Sequence, residues 1–182
     1  PLQYTDYAVW QRTHLEGDVM DNQLTYWEDQ LKGGSTLNLP TEFARPNVQS
    51  VSGANLSFEL GSDLSAEISL LSQRQGATVF MTLLAAFKVL LSRYSGQEDI
   101  CVGTPIANRT QKELEGVIGC FVNTLALRTL VNEESSFAGL LEEIKQTTLG
   151  AYDHQQVPFE KVVERVVKTR DLSTSPLFQV LF

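Results

Sequence analysis

The residues best suited to acid–base chemistry are the two histidines, His14 and His154. Histidine is the side chain that most often moves protons in acyl transfer, because its ordinary pKa lies near neutral pH. His154 directly follows Asp153, but a general base needs a proton partner within hydrogen-bond reach, and neighbours on a chain often point apart. We therefore interpret His154 as part of a loop and helix cap, and His14, on a short amphipathic helix, as a surface residue.

The candidate nucleophiles are the two cysteines, Cys101 and Cys120. Ile118, Cys120 and Val122 alternate within an apolar run, which predicts one buried face of a strand. No histidine is placed to lower the pKa of the Cys120 thiol, so we predict a buried structural cysteine. The chain has no CxxC pair and no cysteine–histidine spacing typical of a metal site, and we predict neither a metal nor a disulfide, as suits a reducing cytoplasm.

Two polar residues, Asn123 and Thr124, interrupt the same apolar run. Polar groups inside a strand must find hydrogen-bond partners or face a cavity. The residues alone leave two interpretations open: hydrogen bonding at a strand kink, or the lining of a substrate channel.

The stretch GTPIANR suits a structured turn, because it contains Pro105 and Asn108. Arg109, in the same stretch, has the chemistry to bind a carboxylate or a phosphate. Structural ion pairs are predicted for Arg128, Arg170 and Asp171. There is no GxSxG elbow, no GxGxxG fingerprint and no Walker loop, so the residues by themselves predict no self-contained active site.

The elements that must position these residues follow from apolar periodicity and capping signals. Helices are predicted after Asp6, over about Asp21 to Lys32, after Ser62, after Thr78, after Ser136 and from Pro158. Strands are predicted at NLSFEL, at DICVG, over GVIGCFVNTLALRTLV with a break at Asn123-Thr124, and at the final LFQVLF. This order predicts an α/β fold in which helices cover a mixed sheet.

Composition limits the classes of function. The chain of 182 residues is 42% hydrophobic and carries a formal net charge of -8, which fits one globular domain and argues against nucleic-acid binding. The longest apolar stretch, VFMTLLAAFKVLL, is shorter than the ~20 residues of a membrane span, so we predict a buried helix. The chain opens without the pattern of a signal peptide, and we expect a cytoplasmic protein.

Five motifs occur in order along nearly the whole chain: YTDYAVWQR at 4–12, VGTPIANRT at 102–110, IGCFVNTLALR at 118–128, HQQVPFEKVVE at 154–164 and RDLSTSPLFQVLF at 170–182. Together they closely resemble the later core motifs of condensation domains in nonribosomal peptide synthetases. The resemblance implies a fold like that of chloramphenicol acetyltransferase, with two α/β lobes and a tunnel between them. Carrier domains would bring a donor thioester and an acceptor amine into this tunnel, each on a 4'-phosphopantetheine arm, and an amide would form.

The catalytic signature of that family, HHxxxDG, belongs to the amino-terminal lobe and is absent here. The resemblance therefore implies that residues 1–182 are the carboxy-terminal, acceptor-side lobe, taken from a longer multidomain chain and inactive alone. The implied partners are the amino-terminal lobe, the donor and acceptor carrier proteins and a neighbouring adenylation domain.

The same resemblance assigns roles to particular residues. The implied tunnel-lining residues are Pro105, Asn108, Arg109, Gly119, Cys120, Asn123 and Thr124, of which Gly119, Cys120 and Asn123 would flank the reacting groups. Structural roles are implied for Tyr4, Asp6, Trp10, Arg128, His154, Pro158, Arg170 and Asp171. Two alternatives remain: a condensation-like module that recruits partners without catalysis, and an epimerisation or cyclisation relative.

Overall fold

The computed structural model describes residues 2–44, 46, 52–168 and 173–182. The helices are α1 (Tyr4–His14), α2 (Asp18–Leu31), α3 (Ser62–Arg74), α4 (Val79–Ser95), α5 (Phe137–Asp153) and α6 (Phe159–Val166). The strands are β1 (Asp99–Ile106) and β2 (Asn123–Leu130), and a 3₁₀ turn, Lys112–Leu114, lies between them.

The sheet combines both strand directions. β1 and β2 are antiparallel, from Asp99 opposite Leu130 to Ile106 opposite Asn123. On the other edge of β1, Gly103 forms a parallel bridge with Leu181. A Cβ atom at Gly103 would lie 2.4 Å from the ring of Phe178, so only glycine leaves room for the C-terminal segment at this point.

Helices cover both faces of this sheet. Successive residues of a strand point to opposite faces. Arg128 of β2 donates to backbone carbonyls at the end of α2, whereas its neighbour Thr129 accepts from Lys88 of α4. α2 and α4 therefore lie on opposite faces, and residues 100–104 of β1 are buried between them, as the α/β expectation requires.

The local capping signals are confirmed at two helices. The Thr78 hydroxyl accepts the N–H of Met81 at 3.2 Å, and the Ser136 hydroxyl accepts the N–H of Gly139 at 3.1 Å. Each bond satisfies one of the backbone donors that a helix start leaves unpaired. α4 ends where predicted, at Gly96, whose φ of 69° is left-handed and therefore favours glycine.

Two predicted caps, Asp6 and Ser62, lie inside the first turn of their helices, whereas Pro158, predicted inside a first turn, is itself the N-cap. Asp6 belongs to the first turn of α1, and its carboxylate accepts the N–H of Gln3 at 2.9 Å. Ser62 is the first residue of α3, with Gly61 as its cap, and Pro158 directly precedes α6. These differences of one to three residues leave the number and order of helices as predicted.

The strand predicted at NLSFEL is wrong. Its alternating side chains point into solvent, with Leu56 92% and Phe58 82% exposed, and the segment pairs with no strand among the described residues. Alternation shows that a segment can bury one face, but a partner strand must be present for it to do so. The apolar side chains of Leu64 and Leu71 in α3 are likewise exposed.

The long strand predicted from Gly116 is also wrong in its first half. β2 begins at Asn123, so Asn123 opens the strand and does not break it. Residues 116–122 form a loop in which Phe121 turns inward while Ile118 is 95% exposed. β1 is longer than predicted and continues to Ile106, and the final predicted strand is reduced to the bridge at Leu181.

The buried apolar residues in the described part of the chain form two separate cores. The main core joins α2, α4, α5 and α6 to both strands. The second cluster, called here the small core, consists of Tyr7 of α1 with Leu114, Val117 and Phe121 from the connection between the strands.

Among the described residues no single helix is long and apolar enough to cross a membrane. Within the same residues, α3 and α4 taken together have that length and composition, but they are bent by 105° at their junction.

Candidate functional site

A depression of about 210 Å³ lies where the small core meets the main core. Its lining residues come from four of the five motifs: Tyr4, Tyr7, Gln11, Asn108, Cys120, Phe121, Val122, Asn123, Thr124, Pro158, Phe159 and Glu160. Of the residues implied for a tunnel wall, Asn108, Cys120, Asn123 and Thr124 line this depression, whereas Pro105, Arg109 and Gly119 do not.

Asn123 uses all of its amide within the protein. Its Nδ2 donates to the carbonyls of Gln155 at 2.9 Å and Val157 at 2.7 Å, and its Oδ1 accepts the N–H of Phe159 at 3.0 Å. The residue is only 8% exposed. Of the two interpretations left open by the sequence, these bonds favour hydrogen bonding at the strand end, since Asn123 fastens the segment before α6 to β2.

Arg109, which the sequence suggested as an anion-binding residue, is partly buried and bonds to the protein's own backbone. Its Nη1 donates to the carbonyls of Leu114 and Val117, and its guanidinium carbon lies 4.1 Å from the centroid of the Phe121 ring. The positive charge therefore braces the small core from inside the connection between the strands.

The predicted turn around Arg109 begins later than expected. Pro105 lies within β1, opposite Thr124, and is exposed. Asn108 adopts a φ of 51°, and its side chain is buried. Asparagine is one of the few residues apart from glycine that adopt this left-handed conformation readily, so Asn108 suits the point where the chain leaves β1.

Cys120 is exposed, which corrects the prediction of a buried cysteine. It lies in the loop 116–122, where the inward turn of Phe121 replaces the expected strand. Its carbonyl accepts the hydroxyl of Tyr4 at 2.9 Å. The buried cysteine is Cys101 in β1, where burial raises the pKa of the thiol to about 11.

His154 is a structural residue, as interpreted from the sequence. Its ring stacks on Tyr26 with 3.9 Å between the centroids, and its Nδ1 lies 2.8 Å from the carbonyl oxygen of Gly150. Its own carbonyl accepts the indole N–H of Trp27 at 2.9 Å. His154 therefore joins the end of α5 to α2 and does not line the depression.

His14 is exposed and stacks on Trp10, with 4.8 Å between the ring centroids. Trp10 in turn lies beside Tyr7 of the small core, at 5.8 Å. Tyr7, Trp10 and His14 therefore form a row of neighbouring rings along α1, and His14 lies at its exposed end, in keeping with the surface position predicted for it.

Arg128 forms the predicted ion pair, and its partner is Asp99. The guanidinium Nε and Nη2 contact the two carboxylate oxygens at 2.7 and 3.0 Å. Burial raises the pKa of Asp99, but hydrogen bonds from Arg128 and Ser35 outweigh it, so the pKa lies below its ordinary value. The other predicted ion pair, Arg170 with Asp171, lies outside the described residues.

Sequence reasoning missed one buried charged group, Lys88 of α4. The side chain is fully buried, and its Nζ donates to the Leu127 carbonyl and the Thr129 hydroxyl, both at 2.8 Å. Burial lowers the pKa of Lys88 from 10.5 to about 7. A signal was present, because Lys88 follows Leu84 by four residues and precedes Leu91 by three, on the buried face of the helix.

A larger cleft of about 860 Å³ lies between residues 33–36, α6 and residues 174–177. Phe159 and Glu160 line this cleft and the depression alike, so the two hollows meet at the start of α6.

Comparison with known proteins identifies the family. The family model of the condensation domain matches residues 1–182. One subunit of linear gramicidin synthase from Brevibacillus parabrevis is 53% identical over 182 residues, and one subunit of plipastatin synthase from Bacillus subtilis (strain 168) is 46% identical over 182 residues. Both alignments cover 100% of this chain, but only 4% and 7% of those proteins.

Solved structures give the same result. The X-domain from teicoplanin biosynthesis superposes with a TM-score of 0.90 at 28% identity, covering 99% of this chain and 41% of that chain. A four-domain nonribosomal peptide synthetase bound to AMP and glycine superposes with a TM-score of 0.85 at 28% identity, covering 90% of this chain and 13% of that chain. The chain thus spans less than half of each relative, and it belongs to the condensation domain family of nonribosomal peptide synthetases, with the α/β fold of the chloramphenicol acetyltransferase type.

Proposed function

We propose that this chain is the carboxy-terminal, acceptor-side lobe of a condensation domain that forms amide bonds in nonribosomal peptide synthesis. The observation that carries the proposal is the meeting of four family motifs around one depression, in a chain whose relatives are gramicidin and plipastatin synthases. In this proposal the depression and the neighbouring cleft form one wall of the tunnel in which the two substrates meet.

The chain would contribute by holding the acceptor amine and the donor thioester in position to react. In the reaction, the amine of the acceptor attacks the carbonyl carbon of the donor thioester, the amide forms and the thiol leaves. Holding two reactants in attack geometry can remove ~7–11 kcal/mol from such a barrier. Asn123, which lines the depression, is fastened by three hydrogen bonds to residues 155, 157 and 159, so this part of the depression suits a rigid wall.

The catalytic histidine and the loaded substrates would come from other domains. The proton-transferring histidine would belong to the amino-terminal lobe, because this chain contains no HHxxxDG. The substrates would arrive on the 4'-phosphopantetheine arms of donor and acceptor carrier proteins, and an adenylation domain would load the acceptor.

The test compares residues 1–182 alone with the longer multidomain chain proposed to contain them, called here the parent polypeptide. Each is given the same loaded donor and acceptor carriers. Mass spectrometry of the carriers follows transfer of the donor group to the acceptor. We expect amide product from the parent and none from residues 1–182. A loaded parent that forms no amide would reject the proposed function, and turnover by residues 1–182 at the parent's rate would reject their role as a single lobe.

One observation favours a second candidate, a recruitment module. The X-domain from teicoplanin biosynthesis, solved in a complex with OxyB, superposes on this chain with a TM-score of 0.91 at 29% identity. The peptide synthases are considerably more similar in sequence, so we rank amide formation first. A parent that binds a partner enzyme stably but leaves both loaded carriers unchanged would support recruitment instead.

A further inference from the structure

The contact between Tyr4 and Gly119 explains why residue 119 is a glycine, which the tunnel proposal does not explain. A Cβ atom at residue 119 would lie 2.2 Å from Cδ2 of Tyr4 and 2.7 Å from its Cγ. Atoms do not approach so closely, so any side chain at this position must displace either the tyrosine ring or the loop. The backbone of Gly119 is not in the left-handed region, so conformational freedom is not the reason for a glycine.

Tyr4 also holds the two residues that follow. Its hydroxyl donates to the carbonyl of Cys120 at 2.9 Å, and its ring meets Phe121 edge-on at 5.2 Å. Tyr4 is the first residue of α1, and Tyr7, one turn later, is buried in the small core. The tyrosine ring is therefore held by a helix that is itself anchored, and it contacts three consecutive residues of the loop.

Two explanations for a glycine beside a substrate wall are possible in principle. A substrate passing over the backbone would need the space that a side chain takes up, or another part of the protein already fills it. Here the space that a Cβ would enter is filled by the Tyr4 ring, and Gly119 does not line the depression. The geometry favours the second explanation.

We infer that Tyr4 is a positioning residue for the loop 116–122, and that residue 119 is a glycine because Tyr4 covers it and not because substrate passes over it. The inference rests on the proposed function, since it assigns how one wall of the depression is held. Through this contact α1 sets the place of Cys120 and Val122, which line the depression, and the approach to Asn123.

The test is a double-mutant cycle of Gly119→Ala and Tyr4→Ala. We measure kcat and KM for amide formation in the parent polypeptide, and the thermal unfolding temperature of residues 1–182. Gly119→Ala should lower kcat/KM at least tenfold and lower the unfolding temperature when Tyr4 is present. In the Tyr4→Ala background, where the ring no longer occupies the space, both effects of Gly119→Ala should nearly vanish.

Two further variants separate positioning from packing. Tyr4→Phe keeps the ring and removes only the hydrogen bond to Cys120, and we expect kcat/KM to fall about two- to tenfold, with a smaller drop in unfolding temperature than Gly119→Ala causes. Val9→Ala, on an exposed part of α1, is the matched control and should behave like the wild type.

The outcomes are distinct. If Gly119→Ala lowers kcat/KM equally with Tyr4 present and in Tyr4→Ala, the inference is wrong and Gly119 contacts the substrate. Wild-type activity of Tyr4→Phe would also overturn it, and so would an unfolding temperature that shows no coupling between the two sites, whatever the activity. A loaded wild-type parent that forms no amide rejects the proposed function separately.

Discussion

The main core and the small core are built on different principles. The main core is a sheet covered by helices on both faces, and residues such as Leu84 and Leu127 are fully buried in it. The small core has four buried residues and draws on one helix, one 3₁₀ turn and a loop. The first is held by regular elements packed against each other, whereas the second is held by aromatic contacts and by the partly buried guanidinium of Arg109.

The candidate site lies on the border between these two regions. β2 and α6, which belong to the main core, supply Asn123, Thr124 and Phe159 to the depression, and the small core supplies Tyr7 and Phe121. The shape of the wall therefore depends on how the small core is fastened, as well as on the stability of the sheet. Substitutions in each region test this division, from the largest expected effect to the smallest.

Leu84→Ala should destabilise the whole protein. Leu84 is fully buried in α4, so its truncation leaves a cavity and should lower the free energy of unfolding by about 3 kcal/mol. Urea unfolding measures the loss. Leu90→Ala, at a position of the same helix that is 50% exposed, is the control, and an equally small loss for both would contradict a tightly packed main core.

Asn123→Ala should weaken the border between the cores. It leaves the carbonyls of Gln155 and Val157 and the N–H of Phe159 without their partner, and we expect a loss of about 2–3 kcal/mol. Asn132→Ala removes an exposed hydrogen bond to Glu134 and serves as the control in the same unfolding experiment. If the two losses are equal, the amide of Asn123 does not hold the segment before α6.

Lys88→Met should abolish a pH dependence that belongs to the main core. The pKa of Lys88 is lowered from 10.5 to about 7, so the unfolded chain binds more protons between these values and stability rises with pH. The titratable groups that face it are Cys101 and Asp99 of β1. The Cys101 thiol, whose pKa is raised from 9.0 to about 11, opposes the rise above pH 9, so we expect a gain of about 2 kcal/mol between pH 7 and 9.

Unfolding at a series of pH values measures this gain, which Lys88→Met should remove. Lys32→Met, at an exposed lysine, should retain it. A rise that survives in Lys88→Met would show that the buried amine is not its source.

Phe121→Ala should affect the small core almost alone. If this core opens before the rest of the protein unfolds, its loss should lower the global unfolding free energy by less than about 1 kcal/mol. Amide hydrogen exchange should become faster in α1 and stay unchanged in β1 and α4. A loss of unfolding free energy as large as that of Leu84→Ala would contradict the distinction between the two cores, because they would then unfold together.

The sequence predicted best what depends on neighbouring residues. Thr78 and Ser136 act on N–H groups three residues away, so the starts of α4 and α5 can be recognised from short patterns. The structural character of His154 was also recognisable from the helix start at Pro158. Its stacking on Tyr26 was not, because the partner is 128 positions earlier in the chain.

The failures share one cause. The apolar alternation at 116–122 and at 55–60 predicts strands equally well, but the first segment is drawn into a loop by Tyr4 and Tyr7, and the second lacks a partner strand among the described residues. The approach of α1 to the loop cannot be read from either segment alone. The candidate site was the part least predictable from the sequence, because its wall is formed by residues that are distant in the chain.

The bridge at Gly103 also bears on how the chain folds during synthesis. The outer edge of β1 receives its partner from the last described residues, and the Thr104 hydroxyl bonds to the carbonyl of Phe182, which is 78 residues later. A ribosome releases the chain from its amino terminus at ~5–20 residues per second, so β1 emerges several seconds before residues that can cover this edge. An unpaired strand edge attracts other strands. The interval between the two segments is therefore a period in which this edge of β1 is open to pairing with another strand.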